Sequence, residues 1–207
     1  MADGALSVAG AQGPLPPEDP AQRLLREQRQ HQLRWRRPFY ALPTKLVQDR
    51  ATPMLPRLLY RRMDEMGVDF SVLYPTLGLD MLFIKNDEVR QAACRALNKM
   101  NANVWAEFSD RMAPVAAIPT TTPEEGVAEL DYAIGELGLK GIMIYGNVHR
   151  YIPQVEQEAP EWARHAMWYD HMAMDSKFDY DPFWAKCVEL KVAPAGHSIN
   201  YGGVHGS

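Results

Sequence analysis

From Arg50 onward the chain alternates between helical and strand periods of hydrophobic residues. Leu55, Leu58, Leu59, Met63 and Met66 recur at helical spacing, with Gly67 as the expected stop. Val68–Pro75 follows as a short β-rich run closed by proline. Asn86 reads as an N-cap, and Asp87 and Glu88 suit the positive end of a helix. Val89, Ala93, Leu97, Met100, Val104 and Phe108 then trace one apolar stripe along a long helix. Ala113–Ile118 is the next strand, ended by Pro119. Thr122-Pro123-Glu124-Glu125 combines a cap, a first-turn proline and a capping-box glutamate. Val127, Leu130, Ile134 and Leu137 mark the inner face of that helix, and Gly138 ends it. Lys140–Tyr145 is almost continuously apolar, as a parallel strand covered on both faces must be.

Gly146–Tyr180 shows neither period and reads as a long irregular insert. Trp162, Met167, Trp168, Tyr169, Met172 and Met174 make it too apolar for a disordered linker. Asp181-Pro182 opens a helix through Phe183, Trp184, Cys187 and Leu190, and Val192–Gly196 runs as a strand into His197. Strands separated by helices imply right-handed crossovers and a parallel sheet, in an α/β fold. A TIM barrel and an open doubly wound sheet both satisfy the pattern. No GxGxxG or GxxxxGK[ST] follows any strand, which weighs against a nucleotide-binding open sheet.

Residues 1–49 read differently, as a proline-rich and polar arm before a domain spanning 50–207. Gly10–Pro20 carries four prolines, and Ala21–Trp35 is rich in Arg and Gln. The arginines admit a nucleic-acid arm, but Glu27 and an acidic remainder favour a solvated surface helix. Net charge is −4 with a pI near 5.9, so neither nucleic acid nor an anionic membrane is an expected partner. The two cysteines, Cys94 and Cys187, form no CxxC pair, which excludes a cysteine-built zinc site and suits a reducing compartment. Met1–Gly10 lacks a basic n-region and no stretch has the length of a membrane span, so a cytoplasmic location is expected.

Functional groups of parallel α/β folds gather at the C-terminal ends of strands. Here those ends are Tyr74-Pro75-Thr76, Pro119-Thr120-Thr121, Tyr145-Gly146-Asn147 and His197-Ser198. His197 is the one histidine placed directly at a strand end, where an imidazole can bind a divalent metal or move a proton. A hydrogen bond to a backbone carbonyl is the alternative. Tyr74 and Asn147 are candidate substrate-binding residues lining the pocket. His149 can reach the same rim but reads as solvated, His165 and His171 lack ligand spacing, and His31 and His205 lie in terminal segments. Cys94 and Cys187 fall within helices, and no GxSxG elbow occurs, so nucleophilic catalysis has no support.

Several motifs carry a family resemblance. Arg62–Asp69, Val72–Pro75, Arg95–Asn98, Val115–Pro119, Glu136–Gly141 and Phe178–Cys187, followed by the strand ending in His197, resemble amidohydrolase-related proteins in order and spacing. These form the branch of the metal-dependent amidohydrolase superfamily that includes aminocarboxymuconate semialdehyde decarboxylase. The resemblance runs from about Arg50 to His197 and implies a TIM (β/α)8 barrel, of which the four strands resemble the second to the fifth. It implies one divalent metal, often zinc, held by an HxH pair after the first strand, a histidine after the fifth and an aspartate after the eighth. On that match His197 is the fifth-strand metal ligand. A further histidine after the sixth strand serves the family as acid/base.

The implied function is a metal-dependent hydrolase acting on a small organic substrate, with a metal-dependent decarboxylase as the alternative. No HxH occurs, and 207 residues are short against the roughly 250 of a barrel. The expectation is therefore a partial barrel with an incomplete active site, inactive on its own. Open strand edges make it an expected homo-oligomer, or a non-catalytic interaction module.

Overall fold

The structure is a computed structural model, and it describes residues 46–163 and 165–197. His31, His205 and the arginine-rich segment lie outside the described residues.

Two compact units divide the chain, one holding the residues up to Arg62 and the other Met63–Ser198. In the first, α1 (Val47–Ala51) leads through a 3-10 turn into α2 (Pro56–Arg62). Arg62 Nη1 donates to Asp49 Oδ1 at 2.9 Å and to Thr52 Oγ1 at 2.6 Å, pinning the two short helices together.

The second unit contains β1 (Ser71–Leu73), α3 (Thr76–Met81), α4 (Asp87–Trp105), β2 (Met112–Ala117), α5 (Pro123–Leu130) and β3 (Gly141–Tyr145). It continues with β4 (Val148–Tyr151), α6 (Pro153–Glu158), β5 (Met167–Asp170), α7 (Asp181–Glu189) and β6 (Pro194–His197). Strands β1, β2, β3 and β6 form one parallel sheet in that order. Each crossover adds the new strand on the same side as the last, whereas a doubly wound sheet reverses direction at a switch point. The winding is that of a barrel, which settles the choice left by the sequence.

Local chemistry explains several elements. Thr122 accepts from the Glu125 backbone N–H while the Glu125 carboxylate accepts from the Thr121 and Thr122 N–H groups, a complete capping box. Helix α5 runs on as a π-helical turn, Asp131–Glu136, and Gly138 closes it at φ +70°. Gly126 lets α5 and α7 touch, because a Cβ there would lie 2.8 Å from the Phe183 ring. Ala116, Ile118, Ile142 and Ile144 on one sheet face pack with Leu130, Ala133, Phe183 and Cys187 into the main core.

The expected stripe on α4 coincides with its buried face only at Leu97, with Phe108 buried just beyond the helix. Asn86 caps this helix as expected, its Oδ1 accepting from Val89 N at 2.9 Å. The residues it buries, however, are Arg90, Cys94, Leu97, Asn98 and Asn101, while Val89, Met100 and Val104 are about half exposed. Buried polar groups survive there because each has a partner. Arg90 pairs with Glu125 at 2.7 Å with both side chains 2% exposed. Asn98 Nδ2 donates to Glu129 Oε1 at 2.8 Å, and Glu129 Oε2 accepts from Arg95 Nε at 3.2 Å.

Burial pushes the Glu129 carboxyl above its ordinary value, against the opposing hydrogen bonds of Asn98 and Arg95. The folded protein therefore holds this proton more tightly than the unfolded chain does. Stability from this group is present below pH 4.5 and is lost as pH rises through the folded value. Glu129→Gln removes the ionisation and keeps an acceptor for Asn98. Its melting temperature relative to wild type is expected to rise across that interval in a pH series, and a constant difference would contradict the assignment.

The insert between β3 and α7 is also corrected. Strands β4 and β5 pair antiparallel, Val148 with Asp170 through Tyr151 with Met167, and enclose the short helix α6. The sequence hides this hairpin because two of its positions are charges, Arg150 and Asp170, which neutralise each other in the interior.

Candidate functional site

Strand register divides the sheet into two faces. Ala116 pairs with Ile142, and Ile144 with Gly196, on the side of the core helices. The opposite face carries Val72 beside Ala113, then Ala117–Met143–Ala195, then Tyr145 beside His197. Side chains alternate along a strand, so the last inward positions of β3 and β6 stand together at the C-terminal rim.

His197 ends β6 and is exposed, and Gly146 N donates to its carbonyl at 3.4 Å. Tyr74, one residue beyond β1, is 49% exposed. Together with Ala195 and Gly196 these two residues line a groove of about 360 Å³. The small residues between them leave room for a ligand. Two of the three site residues named from sequence are thus brought together. Asn147 does not line this groove; it is half-buried, and its Oδ1 is sealed from solvent without a hydrogen bond among the described residues.

A catalytic divalent metal takes about three protein ligands. Among the described residues no three His, Cys, Asp or Glu side chains converge on such a point. The described residues alone therefore do not fit the ion.

The hairpin adds groups that strand-end reasoning overlooked. Tyr145 is 4% exposed and meets Phe83 edge-on at 4.1 Å and His149 at 5.6 Å. His149 also meets Phe83 at 5.3 Å and Tyr169 at 4.9 Å, so it is a packed residue of an aromatic row and not a solvated one. On the other side of β4, Arg150 donates to Asp170 Oδ2 at 2.9 Å, Thr121 O at 2.7 Å and the Tyr180 hydroxyl at 2.9 Å. Tyr180 passes the chain on by donating to Thr120 O at 2.7 Å. Burial opposes the charge on Asp170, but hydrogen bonds from Met172 N, Ser176 and Arg150 outweigh it and hold the carboxyl below its ordinary value. Burial pushes the Tyr180 phenol up to about 12, so it stays a donor at neutral pH. Lys85, from the loop after α3, pairs with Glu156 and lies 4.6 Å over the Tyr151 ring, fastening that loop to the hairpin. Cys94 is buried and its thiol is pushed up to about 12, which removes it as a nucleophile.

Four parallel strands wound in one direction, with core helices packed on one face, define part of a (β/α)8 barrel. The chain belongs to the amidohydrolase family, whose sequence profile matches residues 48–198. Solved structures share the architecture. A dihydroxybenzoic acid decarboxylase from Polaromonas sp. JS666, with bound manganese and 2-nitroresorcinol, is 24% identical over 68% of this chain and 37% of its own, with a TM-score of 0.53. A 2,6-dihydroxybenzoate decarboxylase from Rhizobium is 19% identical over 92% of this chain and 45% of its own, also at 0.53. A 5-carboxyvanillate decarboxylase from Novosphingobium aromaticivorans, with bound manganese, is 19% identical over 77% of this chain and 40% of its own, at 0.51. The chain thus spans less than half the length of each of these structures. No curated protein sequence matches it. Among the described residues no helix is long and apolar enough to cross a membrane.

Proposed function

We propose that this chain contributes the substrate-facing rim of a metal-dependent amidohydrolase-family enzyme acting on a small aromatic acid. Decarboxylation is the favoured reaction and hydrolysis the second reading. The observation that carries the proposal is the groove that Tyr74 and His197 both line at the C-terminal ends of β1 and β6. Support for decarboxylation comes from the structural relatives, three of which are decarboxylases of aromatic acids. Manganese in two of them makes that ion as suitable a candidate as zinc.

In an enzyme of this family such an ion would supply Lewis acidity, and His197 would be one of its several ligands, the others lying outside the described residues. The chain's own residues have simpler tasks. The Tyr74 ring would offer a flat wall for an aromatic substrate, and the exposed His197 imidazole would be available to a ligand in the groove. Tyr145, the register partner of His197, is buried beside it.

Calorimetric titration of the full chain with Zn²⁺ and Mn²⁺ tests the ligand assignment. His197→Ala is expected to weaken binding at least about tenfold, ~1.4 kcal/mol, with no change in melting temperature. Equal affinity in the variant would remove His197 from the site. The chain alone, supplied with ion and 2,6-dihydroxybenzoate, is expected to release negligible carbon dioxide; His197-dependent turnover would show that its site is complete.

A further inference from the structure

The two outer strands of the sheet offer complementary edges. Among the described residues no strand pairs with the outer side of β1 or of β6. Along a strand the N–H and C=O of one residue point to the same side, and the side alternates from residue to residue. Ser71 N donates to Arg111 O at 2.9 Å on the β2 side, so the Val72 N–H and C=O face outward. Gly146 N donates to His197 O at 3.4 Å on the β3 side, so Pro194 O and both backbone groups of Gly196 face outward. Pro194, which has no N–H, is suited to such an edge.

The exposed apolar surface sits on the same two strands. On the inward face, Val115, Ala117 and Met143 of the middle strands are buried. Val72 is 53% exposed, and Phe70 and Tyr74, two residues to either side on the same face, are about as open. On β6 Ala195 is half-buried and His197 exposed. Closing a barrel removes both edges and covers these positions. Residues 1–45 and 198–207 are too few for the four further strand–helix units, of about 30 residues each, that closure needs. A second copy brings all four.

We propose that two copies of this chain close one eight-stranded barrel about a two-fold axis along its centre, with β6 of each pairing in parallel with β1 of the other. Ala195 lies opposite the partner's Val72. In that register the partner's Val72 N–H donates to Pro194 O, and Gly196 N–H donates to the carbonyl of the partner's Val72. The two-fold axis repeats the seam at the other edge, so no strand is left open. Strand register supports the same pairing by an independent count. Carried across the sheet, the level of Val72 passes through Ala113 on β2 and reaches Leu139 before β3 and Lys191 before β6. The seam takes Lys191 to the partner's Val68, four residues before Val72. Two halves then stagger the strands by eight residues, the shear of a TIM barrel. A slip of two residues, the smallest that keeps every side chain on its face, gives four or twelve instead. The chosen register also sets the partner's Tyr74 beside His197, so both copies contribute to one rim. This closure follows from strand register and goes beyond the reading of the rim as a metal site.

Sedimentation of the full chain at micromolar concentration is expected to give twice the single-chain mass. Val72→Lys puts a charge at a position half exposed in one chain and enclosed at the seam. It is expected to weaken pairing at least about tenfold with an unchanged far-ultraviolet spectrum. Two cysteine variants test the register itself. Val72→Cys and Ala195→Cys chains, co-expressed and oxidised with diamide, are expected to join by a disulfide, since opposite residues of paired strands lie within its reach. Neither variant alone is expected to join to itself. A single-chain mass in wild type, a larger open assembly, or a dimer without the link between positions 72 and 195 overturns the closure. Should Val72→Lys not fold, the cysteine pair decides. A single chain in which zinc still shifts His197 first overturns the closure and leaves the rim reading intact. A linked dimer whose His197 does not respond to zinc supports the closure and removes that reading.

Discussion

Asn98→Ala is expected to lower the melting temperature by roughly 10 °C, corresponding to about 3–5 kcal/mol. Asn98 is fully buried on α4 and closes two hydrogen bonds with one strand residue: Nδ2 donates to Ala117 O at 2.9 Å, and Ala117 N donates to Oδ1 at 2.8 Å. Its third contact is the donation to Glu129. Alanine leaves a backbone N–H, a carbonyl and a carboxylate without this partner in a dry interface, and each unsatisfied group costs about 1–3 kcal/mol. Asn98→Asp separates the hydrogen bonds from packing. It is isosteric, but it turns donors into acceptors facing Ala117 O and Glu129, so it is expected to be as damaging at neutral pH and to recover partly in acid. Thermal melting of both variants across pH distinguishes this from a simple cavity, which would show no recovery.

Arg150→Met is expected to cost about 3–5 kcal/mol, because Asp170 is left as a buried charge without its counter-ion. Asp170 is 0% exposed, and its carboxyl is held below the ordinary value partly by Arg150. A depressed carboxylate contributes stability that is present above its unfolded value and is lost as pH falls through the folded one. In the variant that support disappears, so the damage is expected to be greatest at neutral pH and to shrink in acid. Adding Asp170→Asn should restore part of the loss, since the amide oxygen still accepts from Met172 N without requiring a cation. Additive losses in the double-variant cycle would show that the two residues act independently.

These two residues also mark the boundary of what the sequence reveals. Local signals were readable: the Thr122–Glu125 box, Gly138 after α5, Asp181-Pro182 at the start of α7, and the apolar run of β3. Each is decided by a few neighbouring residues. The polar part of the buried face of α4 is not legible, because hydrophobicity cannot show that Arg90 has a partner 35 positions away, or that Asn98 has partners 19 and 31 positions away. The β4–β5 hairpin was missed for the same reason, since Arg150 and Asp170 look like surface charges until they meet.

The site divides similarly. The shared placement of His197 and Tyr74 is legible because strand ends of a parallel sheet lie along one rim, and both residues line one groove. That of His149 is not, because its placement depends on Phe83, 66 positions earlier, and on Tyr169, 20 positions later. Asn147 follows a strand end yet points its Oδ1 into the protein, so position at the rim does not by itself give access to the groove.

A zinc titration of the full chain, read through the Cε1–H resonances of its six histidines, addresses the rim most directly. If the C-terminal rim is the functional site, His197 is the first resonance to shift, and His197→Ala abolishes the early part of the titration. Zinc uptake that moves other histidines and leaves His197 unchanged would contradict it.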